Sequence, residues 1–257
     1  MAGRVFIGTS GYAYPHWRGL FYPERLAQRE WLRFYAGCFA TVELNNPFYR
    51  LPEAKTFRAW RDAVPKGFVC AVKASRYITH IKRLKDPEEP LGTFLARARL
   101  LEHALGPVLF QLPGNFHADL LRLDHFLDAL ARQRFVQGLR AVLEVRHPSW
   151  LERQATDRLA TAGVALCLAD WAECPVEGPV TADFVYVRRH GTSVRYGGSY
   201  PTRRLKEDAR QIGGWLREGR DVYVYFNNDE AAFAVQDSRR LLELVGQSEG
   251  ARVPTPE

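Results

Sequence analysis

The sequence predicts an α/β protein, a single (β/α)8 TIM-type barrel with its sixth helix reduced, and three observations carry that expectation. Eight short runs rich in Val, Leu, Phe or Tyr recur along the chain: Val5–Gly8, Thr41–Asn45, Phe68–Lys73, Val108–Gln111, Ala141–Arg146, Val164–Leu168, Phe184–His190 and Val222–Asn227. Helical patterns lie between most of them. Polar residues gather at the C-terminal ends of several runs, most plainly in AVLEVRHPSW (141–150), where Glu144, Arg146 and His147 enter before Pro148. A buried strand tolerates charge at one end mainly where that end opens into a solvated or ligand-filled site, because unpaired burial costs several kcal/mol.

The elements follow in order. Trp31, Phe34, Tyr35 and Cys38 recur at helical spacing, as do Leu120, Leu123 and Leu127, so each set forms one helix face. Ser149–Glu152 reads S-x-x-E, a capping box starting the helix after the fifth strand, and Gly219 after Trp215–Glu218 is a helix stop. Trp171–Asp183 is short and Pro-rich, which reduces the sixth helix to a loop or a single turn. An open doubly wound sheet is the competing architecture, but GTSGY at Gly8–Tyr12 lacks the dinucleotide fingerprint. The length of 257 residues suits one barrel domain over 1–245 and a polar tail over 246–257.

Composition narrows the function classes. No cleavable leader and no apolar run near the roughly 20 residues of a bilayer span is present, so a soluble, cytoplasmic protein is expected. Cys38, Cys70, Cys167 and Cys174 lack CxxC spacing and read as buried free thiols. The net charge is +7, and 30 of the 36 basic residues are arginine, whose planar fork suits phosphate or carboxylate. Coding bias explains such a total equally well, so only the placement of arginines is informative.

Seven motifs in order carry a family resemblance: IGTSGYAYPHWRGLFYPERL (7–26), VELNNPFYRLP (42–52), VKASRYITH (72–80), GPVLFQLP (106–113), VLEVRHPSW (142–150), TADFVYVRRHG (181–191) and VYVYFNND (222–229). The chain resembles the YecE-like family, domain of unknown function 72. The resemblance implies a TIM-type barrel and supplies no reaction. Pro47 stands where the family usually has a small hydroxyl residue before FYR, so any hydrogen bond from that hydroxyl is missing.

Side chains alternate along a strand, which groups Glu43 with Asn45, Glu144 with Arg146, and Tyr186 with Arg188 and His190. If those sides face the barrel axis, Glu43, Lys73, Gln111, Glu144, Arg146, Arg188, His190 and Asn227 converge at one mouth. Glu43 and Glu144 are the candidate general acid and base, with His190 or His147 assisting protonation. Arg146, Arg188 and Lys73 hold an anion, while Asn45, Gln111 and Asn227 orient the substrate. The competing reading is a salt-bridge lattice, Glu144 with Arg146 or Arg188 and Glu43 with Lys73, that closes the barrel top without chemistry. A Schiff base on Lys73 is a minor alternative. No cofactor is required by the sequence, and whether a metal binds stays open: a divalent metal on His80, His147 and His190 with Glu144 or Asp170 is an alternative without HxH or HExxH spacing.

Three loops flank the mouth. Ser75–Lys85 brings Arg76, Lys82, Arg83 and Lys85 after strand three, either as an anion-attracting lid or as a solvated face. Tyr12, Tyr14, His16 and Trp17, with Phe48 and Tyr49, offer stacking surface for a sugar or base, or pack the first helix. GTSVRYGGSYP (191–201) has glycines suited to a phosphate. The expectation is a hydrolase or isomerase acting on an anionic sugar- or nucleotide-type small molecule. The alternative partner is nucleic acid, on a barrel resembling those of the endonuclease IV type.

Overall fold

The computed structural model describes residues 2–133, 138–192 and 196–247. Its strands are β1 (Val5–Thr9), β2 (Thr41–Leu44), β3 (Val69–Lys73), β4 (Leu105–Gln111), β5 (Ala141–Glu144), β6 (Ala165–Leu166), β7 (Leu168–Ala169), β8 (Phe184–Arg189) and β9 (Asp221–Phe226). The α-helices are α1 (Trp31–Ala36), α2 (Asn46–Tyr49), α3 (Ala54–Asp62), α4 (Glu88–Ala98), α5 (Leu120–Ala131), α6 (Arg153–Thr161), α7 (Thr202–Arg217) and α8 (Phe233–Gly246). The class is parallel α/β of the TIM-barrel type, as expected. The sixth expected strand is two short pieces broken at Cys167, and no helix lies between Ala169 and Phe184. The expected tail lies, from residue 248 onward, outside the described residues.

Two compact units divide the chain: Met1–Glu43, Ala63–Val69 and Phe184–Glu257 form the first, Leu44–Asp62 and Cys70–Asp183 the second. In the first unit β8, β9 and β1 pair in parallel, Val185 opposite Val222 and Val5 opposite Val222 on its other side. β2 meets the end of β1 at a parallel bridge between Ser10 and Glu43. Gly8 explains how closely they run: a Cβ there would stand 2.3 Å from the Thr41 carbonyl oxygen, so no other residue fits. All five residues of β1 are buried. Outside them Trp17, Phe21, Tyr22, Trp31, Tyr35 and Phe39 form an aromatic core, with Tyr22 stacked on Trp31 at 4.7 Å. α1 therefore buries the face that its spacing predicted, although it ends at Ala36 and leaves Cys38 beyond it.

In the second unit β3, β4, β5 and β6 pair in parallel, with Lys73 opposite Leu109 and Gln111 opposite Glu144. α5 buries Leu123 and Leu127 beside Phe126, which meets Phe110 of β4 edge-on at 5.0 Å. The start of the next helix differs from expectation. Pro148 opens a short 3-10 turn, Pro148–Leu151, whose cap is the His147 ring accepting from the Ser149 amide, and α6 begins only at Arg153. The Ser149 hydroxyl is taken by the Ala118 amide at 2.8 Å, so the S-x-x-E pattern does not cap α6. Gly219 does follow α7 as its stop, donating its amide to Leu216.

Cys70, Cys167 and Cys174 are buried and Cys38 is partly so, all four as free thiols. Burial pushes the Cys70 thiol up to about 12, which leaves it unreactive. Among the described residues no helix is long and apolar enough to cross a membrane.

Candidate functional site

Strand alternation builds the polar cluster of the first unit. On β8, Tyr186 and Arg188 share one side, and His190 continues it past the strand end. Arg189 points the opposite way and makes a bidentate pair with Asp208 of α7, at 2.9 and 2.7 Å, which ties that helix to the strand. Glu43 is 0% exposed, and three side chains donate to it. Tyr186 reaches Oε2 at 2.6 Å, Arg188 Nη2 reaches Oε1 at 2.9 Å, and the Ser10 hydroxyl also donates to Oε1. Arg188, 1% exposed, bonds Ser10 Oγ as well at 2.9 Å. Burial, then the neighbouring Glu43 carboxylate, holds the Tyr186 phenol well above its ordinary range, so it stays a donor. His190 is buried, and its Nε2 lies 3.3 Å from Arg188 Nη1, which can only donate, so that nitrogen accepts.

For Glu43, Arg188 and His190 the geometry is that of a closed lattice with no exposed carboxylate edge, a poor setting for proton transfer to a substrate. Asn227 gives its backbone amide to Arg189, while its neighbour Asn228 is the wholly buried one, donating to Gly198 and Asp237. Tyr12 is partly buried, 6.4 Å from Tyr35, and its carbonyl accepts from Tyr22. Trp17 belongs to the core and is no stacking wall. The glycine-rich loop lies partly outside the described residues at 193–195. Four of its other amides are engaged within the protein: Gly191 on Tyr200 Oη, Thr192 on Gly197, Tyr196 on His190 and Tyr200 on Asp237 of α8. A Cβ at Gly191 would meet the Gly197 carbonyl at 2.2 Å, so this glycine serves loop closure rather than a phosphate.

The second unit gathers a cationic cluster at the ends of β3 and β5. Arg146 Nε donates to Glu144 Oε1 at 2.8 Å, and its guanidinium lies 3.8 Å over the Trp171 ring. Glu144 is 1% exposed behind it. Trp171 comes from the Pro-rich segment that replaces the sixth helix. The terminal nitrogens of Arg146 have no partner among the described residues and are not wholly buried. The Lys73 ammonium sits 4.1 Å over the Phe48 ring, and Phe48 meets the His80 ring edge-on at 5.0 Å. Ser75–Lys85 is no open lid: a wide helical turn, Tyr77–Ile81, occupies it and carries His80. Lys82 and Arg83 are engaged with Asp86 and Asn115, whereas Arg76 is exposed.

His80 registers this charge. Burial, then Lys73, Arg76 and Arg146, lower its pKa from 6.5 to about 4, against a smaller opposing pull from Glu144. The unfolded chain therefore takes up the His80 proton first as pH falls from 6.5 towards 4, and native stability is lost over that window. Discounted for partial solvent screening, the loss is about 1–2 kcal/mol. Replacing His80 by Gln should flatten stability against pH there, measured by urea unfolding in steps from pH 7 to 4. An unchanged slope would place the acid sensitivity elsewhere.

Of the other expected site residues, Gln111 donates to the Leu112 carbonyl at 2.6 Å, Asn45 precedes α2 as a partly buried residue, and Tyr49 is 73% exposed. His147 is the turn cap described above, and its ring lies 3.8 Å from that of His117. Among the described residues no three His, Cys, Asp or Glu side chains come together as a metal-ligand group. Sequence reading passed over Ser10 and Trp171. The first was legible as a small hydroxyl just beyond β1; the second had no signal, because its partner Arg146 is distant in sequence.

Parallel α/β pairing with charged side chains at strand ends defines the class, a TIM-type α/β protein with polar clusters at the C-terminal ends of its strands. The chain belongs to the family described as "Protein of unknown function DUF72", whose model matches residues 6–257. It is 29% identical to the UPF0759 protein YecE of Escherichia coli over 161 residues, 62% of this chain and 55% of that relative. The chain thus spans just over half the length of that relative. It is 25% identical to the UPF0759 protein YunF of Bacillus subtilis over 94% of each chain. The crystal structure of a DUF72 family protein from Thermotoga maritima superimposes with a TM-score of 0.81 at 26% identity, covering 95% of this chain and all of that one.

Proposed function

We propose that the protein is an enzyme acting on a small anionic substrate of the sugar or nucleotide type, by hydrolysis or isomerisation through acid–base chemistry, with Arg146 holding the anion. The observation that carries this reading is the state of Arg146: Nε is fixed by Glu144, the planar face is covered by Trp171, and the terminal fork is left to a ligand. A guanidinium held this way loses little entropy on binding and matches a carboxylate or phosphate bidentately. Glu144 is then a positioning residue. His80 is the proton-transfer group, a weak base in the free protein that strengthens when a bound anion offsets Lys73, Arg76 and Arg146.

Calorimetric titration with phosphorylated sugars and nucleotides tests the reading. Arg146→Met should weaken the binding ligand about 10- to 100-fold, as loss of charge-assisted hydrogen bonds does, with little change in melting temperature. His80→Gln should keep binding and lose turnover. Equal affinity in Arg146→Met would refute the assignment. A steep salt dependence, near one unit of slope per neutralised phosphate, would replace it with nucleic-acid binding.

A further inference from the structure

We propose that His16 and Asp229 form a proton-transfer dyad, at the C-terminal ends of β1 and β9, that activates a water or a sugar hydroxyl. The geometry fixes the tautomer. His16 Nε2 lies 2.8 Å from the backbone oxygen of Asp229, which can only accept, so Nε2 carries the hydrogen. The Asp229 carboxylate stands 3.3 Å from the same nitrogen. Nδ1 is therefore the basic nitrogen, and it has no partner among the described residues. The His16 side chain is 46% exposed, so a substrate can reach it. The Asp229 carbonyl orients the ring through Nε2–H, and the carboxylate beside that nitrogen stabilises the cation formed when Nδ1 takes a proton.

The surroundings hold this arrangement at a cost that a simple surface pair would not need. Trp17, fully buried, donates its indole N–H to the same Asp229 carbonyl at 2.9 Å. Tyr14 packs on the His16 ring at 5.4 Å and anchors its own hydroxyl on the Ser10 carbonyl. Ala231 and Ala232, just beyond Asp229, hold φ of +48° and +57°, a left-handed backbone that is unfavourable without glycine. That turn brings the Ala232 amide onto the Asp229 carbonyl at 3.2 Å. Burial raises the Asp229 carboxyl above the ordinary range while His16 draws it down, as for a carboxylate whose chief compensation is this imidazole.

In ester hydrolysis, water oxygen would bond to the acyl carbon while its proton passes to Nδ1. Collapse breaks the bond to the leaving alkoxide, which takes the proton back, giving acid and alcohol. The inference stands whether or not Arg146 takes an anion. The test is hydrolysis of p-nitrophenyl acetate by the whole protein. Wild type should show a rate that rises with pH and levels off, and His16→Ala should lose that limb with a fall of about tenfold or more. Asp229→Asn should lower the rate about threefold or more, with His16 still in place. A His16→Ala rate within about twofold of wild type would overturn the proposal, whatever the melting temperature does. So would an unchanged rate in Asp229→Asn, since His16 would then be reactive alone.

Discussion

Replacing Glu43 by alanine is expected to destabilise the protein by about 3–5 kcal/mol, the usual result of removing one partner from a buried ion pair. Arg188 is 1% exposed and would keep its charge with its carboxylate partner gone, while Tyr186 and Ser10 would lose the acceptor they share. Glu43→Gln should cost less, since the shape and one acceptor oxygen remain. Urea unfolding should show a lower midpoint at unchanged slope. The double variant Glu43→Ala with Arg188→Met separates the contributions: it should be more stable than Glu43→Ala alone, because the buried guanidinium that paired with Glu43 is gone too. A loss below about 1 kcal/mol in Glu43→Ala would mean that solvent reaches Arg188, and the closed-lattice description would fail.

That result bears on how much of the site was legible. The alternation in FVYVRRH placed Tyr186, Arg188 and His190 on one side and Arg189 on the other, and the structure follows it to Glu43 on one face and Asp208 on the other. Period-2 geometry is local and survives folding, so such groupings can be read directly. What a grouping does depends on exposure, which is not local. Glu43 and Glu144 look alike in sequence, each at the end of an apolar run, yet one is enclosed by Ser10, Tyr186 and Arg188 and the other stands behind Arg146. His80 and His147 likewise look alike: one sits among cations, and the other caps the 3-10 turn that Pro148 opens.

The strands and the missing sixth helix were legible because hydrophobic runs and a Pro-rich gap are strong signals. The capping box misled for a physical reason: the Ser149 hydroxyl found a nearer donor in the Ala118 amide, 31 residues away in sequence. The glycines of 191–201 are ambiguous for a related reason. Glycine permits both anion cradles and tight loop packing, and only the acceptors present decide between them.

Here the deciding acceptor is Asp237, and Asp237→Ala should be the second most damaging single change, at about 3–4 kcal/mol. This side chain on α8 is 0% exposed and accepts from four groups: the Ser199 hydroxyl at 2.8 Å, the Tyr200 amide at 3.0 Å, Asn228 Nδ2 at 2.9 Å and Arg240 Nη1 at 2.9 Å. Alanine would remove the acceptor of the buried Tyr200 amide, leave Asn228 Nδ2 with the Gly198 carbonyl as its remaining acceptor, and deprive Arg240 of its carboxylate. Asp237→Asn should be nearly as costly, because one oxygen becomes an NH2 facing donors on either side. Hydrogen exchange gives the local readout: the Tyr200 amide should lose protection in both variants, while amides of β3 to β5 in the other unit keep their ranking. Protection of Tyr200 that persists in Asp237→Ala would show that its amide has another acceptor, and Asp237 would then not be what closes this loop.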